Sequence, residues 1–165
     1  MLLTIPVSMR ILQRKMESKQ LTIGRAGEHL VMYDLLSHGY KCFLTDQGLN
    51  YDVVIDIGRR MLRLQVKTTQ KPGCISHTYK TSTYLFHVRR AGKGGKRFYA
   101  VDEFDGFALV TMDTRSVYYY PFHEQITRTL ILRDGRQRGK YKTNYGKIAP
   151  YIEGFTLEKF LSDFK

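Results

Sequence analysis

A chain of 165 residues, 42% hydrophobic and 25% charged, is long enough to bury a core without disulfides or a structural metal and too apolar to stay disordered. One domain over residues 1–165 is therefore expected. The 27 Lys and Arg against 15 Asp and Glu give a formal charge of +12, which calls for a polyanionic partner. With no apolar run of about 18 residues and no cationic amphipathic helix, nucleic acid is expected and a membrane is not. Cys42 and Cys74, without CxxC spacing, exclude a disulfide framework and a cysteine zinc site, and they fit a reducing cytoplasm.

Residues 1–20 read as an N-terminal extension. Met1 to Val7 are apolar but have no basic segment before them and no small-residue cleavage site, so they are not read as a secretory signal. From Arg25 to Gly39 a helix is predicted, with Ala26, Leu30, Tyr33 and Leu36 at helical spacing and Gly39 as its stop. Glu28 precedes Val31, Met32 and Leu35, which puts this acid in line with an apolar stripe and turns it toward a neighbouring sheet. Three strands follow, Lys41–Thr45, Tyr51–Ile57 and Met61–Thr68, separated by Gln47-Gly48 and Gly58-Arg59. They suggest a β-meander beside a helix. Tyr84–Arg89, Phe107–Met112 and Val117–Pro121 read as further strands, with Asp113-Thr114-Arg115 as a turn, and Leu157–Phe164 as a terminal helix. No internal repeat is visible. This order predicts an α/β or α+β domain with a central mixed β-sheet flanked by helices.

The richest chemistry lies around Gly58-Arg59. As a two-residue hairpin loop it sets Ile57 opposite Arg60 and, counting back along both strands, Asp52 opposite Gln65. Side chains alternate along a strand, so Gln65 and Lys67 share one face while Leu64 and Val66 share the other. A carboxylate, an amide oxygen and an ammonium then converge, a set able to hold a hard divalent cation such as Mg²⁺ or Mn²⁺ and to hydrolyse a phosphodiester. Lys67 would orient the attacking water or stabilise negative charge as the bond breaks. The backbone carbonyl of Val66 is a further candidate ligand, and Glu28 a direct or water-mediated one. Taken singly, these residues have ordinary roles. Asp52 would cap a turn, Glu28 would answer the dipole of a helix N-terminus, and Gln65 with Lys67 would line a solvated strand face. Their convergence favours a site.

Asp52, then Gln65-Val66-Lys67-Thr68, with Glu28 on the preceding helix, resembles the PD-(D/E)XK nuclease superfamily. It is most similar to the branch of bacterial group I intron homing endonucleases in which glutamine replaces the second acid. Gly24 to Thr69 carry the resemblance, with a weaker echo in Phe107 to Phe122. It implies a restriction-endonuclease-like fold, dependence on Mg²⁺ and double-stranded DNA as substrate. Tyr51 stands where the family name has proline, which is no ligand. Gln65 lacks the usual charge and offers an amide oxygen in place of a carboxylate.

Two basic segments look suited to a phosphate backbone. Arg89, Arg90, Lys93, Lys96 and Arg97 lie on a glycine-rich stretch whose spacing is not that of a P-loop. Arg136, Arg138, Lys140 and Lys142, within residues 133–147, alternate with glycines and tyrosines. Solvated surface loops would have the same composition. The five histidines show no ligand spacing; His87, in a predicted strand, is the hardest to dismiss. The reading is a metal-dependent DNA endonuclease leaving 5′-phosphate and 3′-hydroxyl ends. With one site per chain and two strands to cut, a dimer or higher homo-oligomer is expected. The alternatives are a Holliday-junction resolvase, a restriction-type nuclease, or a catalytically idle DNA-binding module; against the last, both acids and the lysine are present.

Overall fold

The computed structural model describes residues 18–74, 82–89, 98–100, 102–122, 129–137 and 149–165. Helix α1 (Lys19–Ser37) comes first, followed by β1 (Lys41–Leu44), β2 (Val53–Asp56) and β3 (Met61–Thr69). Next come β4 (Gly73–Cys74), β5 (Ser82–His87), β6 (Gly106–Thr111), β7 (Ser116–Pro121) and β8 (Thr129–Arg133), and α2 (Leu157–Ser162) closes the chain. Strands β1-β2-β3-β6-β7 form one sheet in that order, and β4-β5-β8 a second. The central sheet is mixed, since β3 and β6 run parallel while its other neighbours are antiparallel. Among the described residues, no helix is long and apolar enough to cross a membrane.

Helix α1 starts earlier than its apolar spacing predicts because Ser18 caps it, its hydroxyl accepting from Leu21 N at 3.4 Å. It stops before Gly39, whose φ of +83° suits glycine. Its buried face follows the stripe expected in line with Glu28. Gly27, Val31 and Leu35 are buried, whereas Tyr33 and Leu36, which also recur at helical spacing, are 72% and 56% exposed. The reason is steric. A Cβ at Gly27 would stand 2.0 Å from Thr68 Oγ1 on β3, so the helix seats on its slimmest ribbon, where backbone can approach sheet most closely.

The hairpin between β2 and β3 has the predicted register, with Val53 opposite Leu64 and Asp56 opposite Met61. Gly58 turns with φ +85°, Ile57 N donates to Arg60 O at 3.1 Å, and Asp56 Oδ1 accepts from Gly58 N at 2.7 Å. Asp56 is thus a turn residue. Strand β6 is buried along its whole length, as expected of a parallel-paired strand covered on both faces. Ala108 and Val110 meet Val31 and Leu35 of α1 and Phe160 of α2 on one side. On the other, Phe107 and Leu109 meet Tyr84, Phe86 and Leu132 of the second sheet. Each large apolar side chain buried this way stabilises the fold by roughly 1.5–3 kcal/mol relative to exposure.

Strands β4 and β8 were not predicted. The first has two residues. The second, Thr129–Arg133, acquires strand structure by pairing with β5, where Tyr84 faces Leu132 and Phe86 faces Leu130. Polar side chains tie the layers together. Tyr119 OH donates to Asp34 Oδ2 at 2.6 Å, linking β7 to α1, and Asp105 accepts from Arg63 N at 2.7 Å and Arg60 Nη2 at 3.0 Å.

Candidate active site

Asp52 stands at the entrance to β2 with its backbone held on both sides. Its N–H donates to Leu64 O at 2.9 Å, and its C=O accepts from Thr45 N at 3.0 Å. The side chain reaches across to β3, where Oδ2 accepts from Val66 N at 2.8 Å and from Gln65 Nε2. The same Nε2 lies 3.5 Å from Val66 O. Asp52, Gln65 and the Val66 peptide therefore form one hydrogen-bonded group, and Gln65 is only 9% exposed. Burial raises the Asp52 carboxyl above its ordinary pKa. The Val66 N–H, the Lys67 ammonium and the Gln65 amide oppose that rise.

Lys67 follows two residues after Gln65 and points to the same side of the sheet. Its Nζ donates to Tyr99 OH at 2.8 Å. The Tyr99 ring is itself braced edge-on by Phe104 and Phe107, at centroid distances of 4.9 and 6.0 Å. Sequence reasoning missed Tyr99 as the residue that aims the lysine. Nothing local could have shown it, because the contact spans the long connection between β3 and β6.

Glu28 arrives from α1, one residue after the glycine that seats the helix on Thr68. Its carboxyl is also raised, first by burial and then by repulsion from Asp52, with Arg25 and His29 opposing. Two half-buried acids close enough to repel each other, beside a carbonyl and an amide, form a set of hard oxygen donors. A divalent cation would relieve both the repulsion and the desolvation. The donor chemistry fits Mg²⁺ or Mn²⁺ through Asp52, Gln65 and the Val66 carbonyl, with Glu28 adding charge. Among the described residues, no cluster of three or more His, Cys, Asp or Glu forms an alternative metal site.

The basic residues fare differently. Arg89 lies with its guanidinium over the Phe98 ring, 5.3 Å from the centroid; Arg90, Lys93, Lys96 and Arg97 lie outside the described residues, as do Arg138, Lys140 and Lys142. Arg136 does not present an uncompensated charge. Its Nε and Nη2 each donate to Asp134 at 2.8 Å, and Nη2 also reaches Asp113 at 3.1 Å and the Tyr84 hydroxyl. Asp134, Asp113 and the Tyr84 hydroxyl tie its guanidinium down at the surface, where its side chain stays about half exposed. His87 opens onto the cavity that Glu28, Val66 and Lys67 also line.

A family model described as PD-(D/E)XK endonuclease matches residues 16–151. The fold is similar to the solved structure of a bacterial homing endonuclease, with a TM-score of 0.63 and 19% identity, over 90% of this chain and 99% of that one. At that identity the likeness speaks for the fold alone. No curated protein matches the chain in sequence.

Proposed function

The chain belongs to the PD-(D/E)XK endonuclease family, and from that premise we propose that it cleaves double-stranded DNA in the cytoplasm in the manner of a homing endonuclease. In this reading Mg²⁺ or Mn²⁺ is held by Asp52, Gln65, the Val66 carbonyl and Glu28. The observation that carries it is the position of Gln65 Nε2, which donates to Asp52 Oδ2 and lies 3.5 Å from Val66 O. An electropositive N–H group stands where a carboxylate and a carbonyl would grip a cation. Which end of an amide is nitrogen follows from its partners, so the same side chain can present Oε1 when the partner is a cation.

Bound there, the cation would polarise the phosphoryl group and make a water more acidic. Asp52 and Glu28 supply the negative charge of the pocket. Lys67, aimed by the Tyr99 hydroxyl, stabilises the charge that builds on the phosphoryl oxygens as the water oxygen bonds to phosphorus and the bond to O3′ breaks. One water proton goes to solvent and O3′ gains one, which leaves 5′-phosphate and 3′-hydroxyl ends. Because each chain carries one such site and a duplex has two strands, the enzyme works as a homo-oligomer.

Purified protein incubated with supercoiled plasmid and mixed linear DNA tests the reading. Nicking is expected with Mg²⁺ and lost with EDTA or in Asp52→Asn. Equal nicking in EDTA, or by Asp52→Asn, would refute it.

A further inference from the structure

Between α1 and the far end of β3 lies a cavity of about 440 Å³, within the range of small-ligand sites. Its polar lining residues include one acid, Glu28, the basic Lys67 and Lys71, His87, and the amide-bearing Gln20 and Gln70. Among the described residues these are all the charged or titratable groups that face it. Cations outnumber the single acid, and that acid stands at the metal-holding end. Lys71 follows β3, while His87 ends β5 and enters from the second sheet. Thr129 Oγ1 lies 3.3 Å from His87 Nδ1, which orients the ring and leaves Nε2 for a ligand.

We propose that this cavity is a phosphate subsite for the DNA backbone. It takes the phosphate next to the cleaved bond, with His87 Nε2 and Lys71 Nζ donating to its non-bridging oxygens. An anionic diester suits this wall, and the shared lining by Glu28 and Lys67 places the subsite directly beside the bond-breaking groups. The assignment rests on the endonuclease reading for the identity of the natural ligand and for the position of the cleaved bond.

Thymidine 3′,5′-bisphosphate, with two phosphates one nucleoside apart, is the probe. Titrated in EDTA into full-length ¹⁵N-labelled protein, it should shift the His87 ring nitrogens saturably. His87→Ala and Lys71→Ala should each weaken binding about tenfold, the worth of one hydrogen bond to a charged group. His87→Gln, which keeps an N–H donor, should recover part of the loss. Arg59→Ala, which removes the same charge from the exposed turn at the opposite end of β3, should bind like wild type. Unmoved His87 resonances would overturn the proposal. So would an Arg59→Ala defect equal to that of Lys71→Ala, which would mean that only overall charge matters, or inorganic phosphate binding as tightly as the nucleotide. The titration uses neither metal nor cleavage. Persistent nicking by Asp52→Asn would therefore remove the proposed chemistry while leaving this result standing, and silent His87 resonances would do the reverse.

Discussion

Gly27→Ala tests whether the seating of α1 governs the site. The new Cβ would meet Thr68 Oγ1 at 2.0 Å, Cβ at 3.1 Å and Cγ2 at 3.2 Å. Ordinary non-bonded contact begins near 3.5 Å, so the helix must retreat by roughly 1.5 Å. Thr68 is β-branched and stiff at χ1, and does not swing aside freely. Overpacking of this kind costs about 1–3 kcal/mol, offset by about 1 kcal/mol because alanine favours helix over glycine. The variant should stay folded with a small loss in urea or thermal unfolding. Its cleavage rate should fall about a hundredfold, since Glu28 rides on the displaced turn and a misplacement near 1 Å costs about that much. Adding Thr68→Ala should restore most of the rate. Only the 3.1 Å contact then remains, and the lost hydroxyl is buried without a hydrogen-bond partner. A wild-type rate in Gly27→Ala would refute the argument that helix seating positions Glu28, and failure of Thr68→Ala to rescue would show that the clash lies elsewhere.

Three further outcomes are expected. Gln65→Ala should lose most activity, while Gln65→Glu keeps much of it and reaches half-maximal rate at lower Mg²⁺, because the site gains one negative charge; rates measured against Mg²⁺ concentration decide, and a Gln65→Ala enzyme as fast as wild type would remove Gln65 from the ligand set. Tyr99→Phe should slow cleavage about tenfold, the scale of one hydrogen bond to a charged group, with the Mg²⁺ requirement unchanged; a shifted Mg²⁺ requirement would mean that Tyr99 acts on the metal ligands and not on Lys67. The Asp134 carboxyl is held below its ordinary pKa, chiefly by the side-chain hydrogen bonds of Arg136, against burial. A depressed carboxylate stabilises the fold above its unfolded pKa, about 3.9, and that stability is lost as pH falls through the lower folded value. Wild type should therefore exceed Asp134→Asn in denaturant unfolding at neutral pH, with the gap closing below about pH 4; a gap independent of pH would mean that the effect is packing and not charge.

Much of the candidate site's geometry was legible because its central contact is local. A two-residue loop with glycine at the turn determines which residues of β2 and β3 face each other, and the period of two determines which share a side. Asp52 meeting Gln65 follows from those rules together with the side-chain bond across the strands. Both α-helices and six of the eight strands among the described residues were readable in order for the same reason, since periodicity and turn chemistry act over a few neighbouring residues. The mixed α+β architecture came with it.

What needed the tertiary structure depends on groups that the chain brings together from far apart. Two apolar ribbons run along α1, and only the close approach of Gly27 to Thr68 selects the buried one, leaving Tyr33 and Leu36 outside. The parallel pairing of β3 with β6, and the antiparallel pairing of β5 with β8, are choices among many possible partners. Tyr99 behind Lys67, Asp134 and Asp113 around Arg136, and His87 beside Glu28 and Lys67 follow from those pairings. A residue's type and spacing state what it can do. Whether Arg136 is an open cation or one tied to neighbouring acids, and whether His87 borders a cavity, is decided by which distant side chains arrive next to it, because electrostatic and hydrogen-bond energies depend on distance in space and not along the chain.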